Sequence, residues 1–198
     1  MYNAQTCQDV FVDKILNKTE GFFVDIGAGT GGLPTHTPGF YSNTYYFEVF
    51  KNWKGKARSA KCLCVDLLEV SINEVLDKWS CPTEIDYLSI DVDDAQIKVF
   101  NDFDFDKYKF KVLTLEHNLF QSDPNCGQNR TEEHRKNILK DHAYYREVLS
   151  KHGYKLLWGN VCLDGYGPVE DWFVDEETFE KNKNIQKEYA NCLETMNI

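Results

Sequence analysis

An open α/β sheet is the fold class this sequence predicts, on three observations. Short β-branched and aromatic runs alternate with longer amphipathic stretches. Glycines bracket "GFFVDIG" at residues 21–27, as expected of a buried strand entering a turn. Two later apolar runs, 85–93 and 110–118, close on acidic or polar groups, which would gather at one edge of a sheet. With 198 residues, 42% of them apolar and 14% aromatic, the chain can bury one core, and residues 1–198 read as a single domain.

Each element follows from its local pattern. Residues 8–18 read as a first helix and 21–27 as the first strand. "SNTYYFEVFKNW" (42–53) reads as a helix with Ser42 or Asn43 as N-cap. "KCLCVD" (61–66) is a short strand, "SINEVLDKW" (71–79) a helix opened by Ser71, and "IDYLSIDVD" (85–93) a buried strand. "FNDFDFDKYKF" (100–110) reads as a connection whose phenylalanines dock it while its acids stay in water, and "FKVLTLEHN" (110–118) as the next strand. A long helix spans 130–154, with an apolar face at Ile138, Leu139, Tyr145, Val148 and Leu149 and a stop at Gly153. On it or beside it, His134, His142 and His152 are expected to face solvent. "KLLWGN" and "DWFVD" form a closing antiparallel pair, with Trp158, Trp172 and Phe173 as packing, and a charged surface helix begins at 176.

Composition excludes several function classes. A formal charge of -10, from 22 basic and 32 acidic residues, argues against nucleic acid or an anionic membrane as partner and favours a small or neutral substrate. No apolar run approaches the ~20 residues that span a bilayer, and "MYNAQTCQDVFVDK" lacks a basic start and apolar stretch, so a cytoplasmic protein is expected. Seven scattered cysteines suit a reducing compartment rather than a disulfide framework or a structural zinc site.

The turn after the first strand, "GAGTGG" (27–32), matches G-x-G-x-x-G literally. Pro34 and Pro38 then oppose the helix whose N-terminus would hold a pyrophosphate, which disfavours an NAD-linked oxidoreductase. Asp25, two positions before the first glycine, would repel phosphate but attract an amine or a sulfonium, which points to S-adenosylmethionine; a plain strand-end acid capping the turn is the alternative.

"GFFVDIGAGTG" (21–31), "SNTYYFEVFKNWKG" (42–55) and "IDYLSIDVDDAQIKVFNDFDFDKYKFKVLTLEHN" (85–118) resemble, in order and spacing, the FkbM-type methyltransferases. The likeness extends from "QDVFVDKIL" (8–16) through "HGYKLLW" (152–158) to "DWFVD" (171–175). It implies a Rossmann-like class I methyltransferase fold, with a mostly parallel seven-stranded central sheet flanked by helices. It also implies S-adenosylmethionine as methyl donor and a sugar, glycan or related small-molecule hydroxyl as acceptor. Asp25, Gly27, Ala28 and Gly29 would hold this cofactor, with Asp66 and Asp91. The chain departs from the family where the second strand and helix look trimmed. Asp66 then replaces the usual ribose acid, with Glu48, inside a helix, as the weaker candidate. The family's "D-x-E-G" is here "DVDD" (91–94).

Asp91, Glu116 and His117 end neighbouring strands and form the expected catalytic set. His117 would be the general base, its ordinary pKa of about 6.5 lying near working pH. Alternatively the three hold a divalent metal, manganese or magnesium, that lowers the pKa of the acceptor hydroxyl. The 25-residue spacing from 91 to 116 is also similar to that of the macrocin-type O-methyltransferases, which bind magnesium. A non-catalytic binding protein on the same fold is the remaining reading.

Overall fold

A computed structural model describes residues 2, 4–27, 42–56, 67–92 and 95–185. The chain divides into two compact units, residues 1–114 and 115–198.

In the first unit, helix α1 (Gln8–Leu16) buries Phe11, Val12 and Ile15 on one face. Strand β1 (Phe22–Ile26) lies parallel to β2 (Lys54–Lys56), with Phe22 opposite Lys54, and parallel to β3 (Glu84–Ile90), with Asp25 opposite Ser89. Strand β4 (Lys109–Glu116) begins in this unit, where the order is β2-β1-β3-β4. Between them lie α2 (Tyr45–Phe50), α3 (Ile72–Lys78) and α4 (Gln96–Asp102). Ser71 caps α3 as expected, its hydroxyl accepting the Asn73 amide. Phe100, Phe103, Phe105 and Phe110 are all buried, so the phenylalanines do anchor the 100–110 segment. Its start, however, is the end of α4, a two-turn helix with only Gln96, Val99 and Phe100 buried, too short to show a clear period in sequence. One of its acids is not in water, since Asp102 accepts the Ile72 amide at 2.8 Å.

In the second unit, a short 3-10 turn (Leu119–Ser122) is followed by α5 (Glu132–Lys151), capped by Thr131, whose hydroxyl accepts the His134 amide. Gly153, at φ 87°, follows the helix end. Strands β5 (Lys155–Leu163) and β6 (Gly167–Val174) pair antiparallel, with Trp158 opposite Trp172, and α6 (Glu176–Asn182) follows.

Three expectations need correction. The strands are mixed in direction, not mostly parallel, because β5 and β6 are joined by Asp164, Gly165 and Tyr166 alone. Parallel neighbours need a crossover of about a dozen residues. The helix expected over 42–53 is confined to Tyr45–Phe50, because Ser42, Asn43 and Thr44 are used to fasten its start. On α5 the buried side chains are His142, Tyr145 and Leu149, whereas Leu139 is exposed, so the inward stripe carries a histidine. The strand expected at 61–66 lies outside the described residues. Among the described residues no helix is long and apolar enough to cross a membrane, and the thiols of Cys7, Cys126 and Cys162 are not in disulfides.

Candidate functional site

The first unit sets two acids at the carboxyl ends of adjacent parallel strands. Asp25 is buried on β1, and the Thr44 hydroxyl donates to its Oδ2 at 2.9 Å. Asp91 follows β3 directly, and its amide donates to the Ile26 carbonyl at 2.9 Å. Gly27 turns between them at φ 95°; a Cβ there would stand 1.4 Å from the Asp91 carbonyl oxygen. No side chain fits, so glycine is required for the backbones to approach this closely. Asn43 closes the edge, its Nδ2 donating to Ser89 Oγ at 2.9 Å. Ala28, Gly29 and Asp66 lie outside the described residues. Glu48 is half-buried on α2.

Glu116 and His117 belong to the second unit, where His117 joins His142 and three residues that were not singled out in the sequence, Arg146, Asn160 and Asp171. Asp171, on β6, is almost fully buried and is the centre of the cluster. Arg146 of α5 grips it with two bonds, Nε to Oδ2 and Nη2 to Oδ1, each 2.7 Å. The Asn160 amide donates to Oδ1 at 2.8 Å, and His142 Nε2 lies 3.1 Å from Oδ2. Asn160 adopts φ 57° where the β5–β6 register is irregular, which turns its N–H out of the ladder and toward Asp171. Its side-chain oxygen accepts from Arg146 Nη2 at 2.9 Å. Burial alone would raise the Asp171 pKa, but the guanidinium and the two imidazoles outweigh it and hold the carboxyl far below the usual carboxylate range.

His117 Nε2 stands 3.4 Å from Asp171 Oδ1 without the alignment of a hydrogen bond, so this contact is electrostatic. Its Nδ1 accepts the Leu119 amide at 3.1 Å. An amide can only donate, so the neutral ring carries its proton on Nε2. Burial lowers the His117 pKa, with Asp171 opposing. A base at this ring would have to bind its proton at Nδ1 and break the Leu119 bond; in its neutral form His117 is a donor.

The ligand atoms of His117, His142 and Asp171 all lie within 4.8 Å of one another, a spacing compatible with a metal ion. The donor set does not fit one. Nε2 of His117 holds a proton instead of a lone pair, and the Asp171 oxygens already receive Arg146, Asn160 and His142. This is also a different trio from the expected Asp91, Glu116 and His117.

His142, expected in solvent, is buried because Asp171 meets its polar edge. The missed residues had one signal: an acidic pair, Glu170-Asp171, inside an otherwise apolar strand. Such acids need buried partners, and Trp172 Nε1 indeed donates to Glu170 Oε2 at 2.7 Å.

A glycine turn at the carboxyl end of a parallel strand, with a buried acid before it and a second acid ending the adjacent strand, belongs to a mixed α/β architecture consistent with a methyltransferase-like fold. Residues 64–156 match the family model described as the methyltransferase FkbM domain. No curated protein and no solved structure matches the chain.

Proposed function

We propose that this chain is an S-adenosylmethionine-dependent O-methyltransferase acting on a hydroxyl of a sugar, a glycan or a related small molecule. The observation that carries the reading is the β1 turn, where Gly27 admits no Cβ and Asp25 places a carboxylate two residues earlier. That pairing suits a cationic, phosphate-free ligand, and the FkbM match over 64–156 supports a methyl donor. Asp25, Gly27 and Asp91 would hold the cofactor, with Ala28, Gly29 and Asp66 as further candidates. When bound, the cofactor supplies an electrophilic methyl group on a sulfonium. The protein's part is to aim the acceptor oxygen and to remove its proton. Of the expected catalytic set, Asp91 lies in the same unit as the glycine turn and is the candidate proton acceptor.

Calorimetric titration tests the assignment. The protein should bind S-adenosylhomocysteine and not NAD, and Asp25→Ala should weaken S-adenosylhomocysteine binding about 10- to 100-fold, the loss expected of a charge-assisted contact. Binding of NAD alone would move the chain to the oxidoreductases. Binding of neither would leave a non-catalytic protein. Labelled S-adenosylmethionine offered with a panel of sugars then identifies the acceptor.

A further inference from the structure

We propose that Asn43 and Thr44 are positioning residues, a strap that holds the carboxylate of Asp25 and the end of β3 in the geometry required by the cationic arm of the cofactor. The inference rests on the cofactor reading above and adds to it two residues outside the glycine turn.

Thr44 occupies the N-cap of α2, where a threonine hydroxyl ordinarily accepts one of the first amides of the helix. It makes no such bond here. The hydroxyl is turned away from the helix and donates to Asp25 Oδ2 at 2.9 Å, with Thr44 1% exposed. Ser42 takes over the capping duty, its Oγ receiving the Tyr45 amide at 3.2 Å and the Thr44 amide at 3.4 Å. The helix start thus keeps its cap while its threonine is diverted to the strand. The adjacent residue reaches the next strand, through Asn43 Nδ2 to Ser89 Oγ at 2.9 Å. Asp25 and Ser89 are direct partners across β1 and β3, so two consecutive side chains meet one cross-strand pair.

The chemistry of that bond explains its use. A buried carboxylate rotates about its last torsion unless an oxygen is pinned, and a hydroxyl donor pins Oδ2 without adding charge. A lysine or arginine in the same place would neutralise the carboxylate and remove its attraction for an ammonium or sulfonium.

Thr44→Val keeps the volume and removes the hydroxyl; Thr44→Ser keeps the hydroxyl. Titration with S-adenosylhomocysteine should show about tenfold weaker binding for Thr44→Val and near wild-type binding for Thr44→Ser. Adenosine lacks the amino-acid arm, so its affinity should stay within about twofold in all three proteins. Asn43→Ala, at a half-buried position that tolerates truncation, should weaken S-adenosylhomocysteine severalfold and serves if Thr44→Val does not fold. Unchanged S-adenosylhomocysteine affinity in folded Thr44→Val, with Asp25→Ala still impaired, overturns the strap and leaves the cofactor reading intact. Equal losses for S-adenosylhomocysteine and adenosine also overturn it, because they report a distorted fold. No binding of S-adenosylhomocysteine by the wild-type protein overturns both.

Discussion

Replacing Arg146 with methionine tests whether the buried carboxylate of Asp171 holds the second unit together. The substitution removes the guanidinium and keeps most of the side-chain bulk. Asp171 is 1% exposed and would lose two bonds of 2.7 Å, keeping the Asn160 amide at 2.8 Å and His142 at 3.1 Å. Removing one partner of a fully buried ion pair costs about 3–5 kcal/mol. Arg146 is 33% exposed, so water replaces part of what is lost, and with two donors remaining the expected cost is about 2–3 kcal/mol. For a urea dependence of about 2 kcal/mol per molar, the unfolding midpoint should fall by about 1–1.5 M. Tryptophan fluorescence is a suitable probe, since Trp158 and Trp172 lie on β5 and β6. Arg146→Lys should recover only part of the loss, because an ammonium cannot form the fork to both oxygens. Lys151→Met, which breaks an exposed pair with Glu147 on the same helix, is the control and should leave the midpoint in place. A midpoint within about 0.3 M of wild type for Arg146→Met would refute the reasoning and make Asp171 a bystander.

Stability should fall on acidification in two stages, measured as urea midpoints from pH 8 to 3. Below about pH 6.5 the unfolded chain takes up a proton on His117 while the buried ring stays neutral, so the unfolded state binds more protons and stability drops. Below about pH 4 the carboxylates of Asp171, Asp86 and Asp13, all held low in the folded state, lose their contribution as the pH falls through their folded pKa values. A flat profile between pH 7 and 5 would contradict the first stage. Gly27→Ala should abolish S-adenosylhomocysteine binding, because its Cβ would meet the Asp91 carbonyl at 1.4 Å; retained affinity would mean that the turn is not at the ligand. Zinc or manganese in slight excess should leave the melting temperature unchanged and EDTA should leave turnover unchanged, whereas a metal-dependent rise in melting temperature would restore the His117, His142 and Asp171 trio as a metal centre.

What could be read from the sequence alone is what depends on near neighbours along the chain. Ser71 opening α3, the tight link that makes β5 and β6 antiparallel, and the glycine turn after β1 are set by side chains within a few residues of the backbone they govern. The FkbM resemblance was legible for the same reason, since ordered strand ends and turns are local patterns, and the family match over 64–156 agrees with it. Boundaries and partners were not legible. The start of α2 depends on whether Thr44 caps its own helix or reaches Asp25, 19 residues away. The tautomer of His117 is decided by the position of the Leu119 amide, and the fate of His142 by an acid 29 residues downstream. Asp171 reads as an ordinary strand acid until β5, β6 and α5 bring an amide, a guanidinium and an imidazole to it. A buried charge is tolerable only when distant donors converge on it, and that convergence belongs to the tertiary structure.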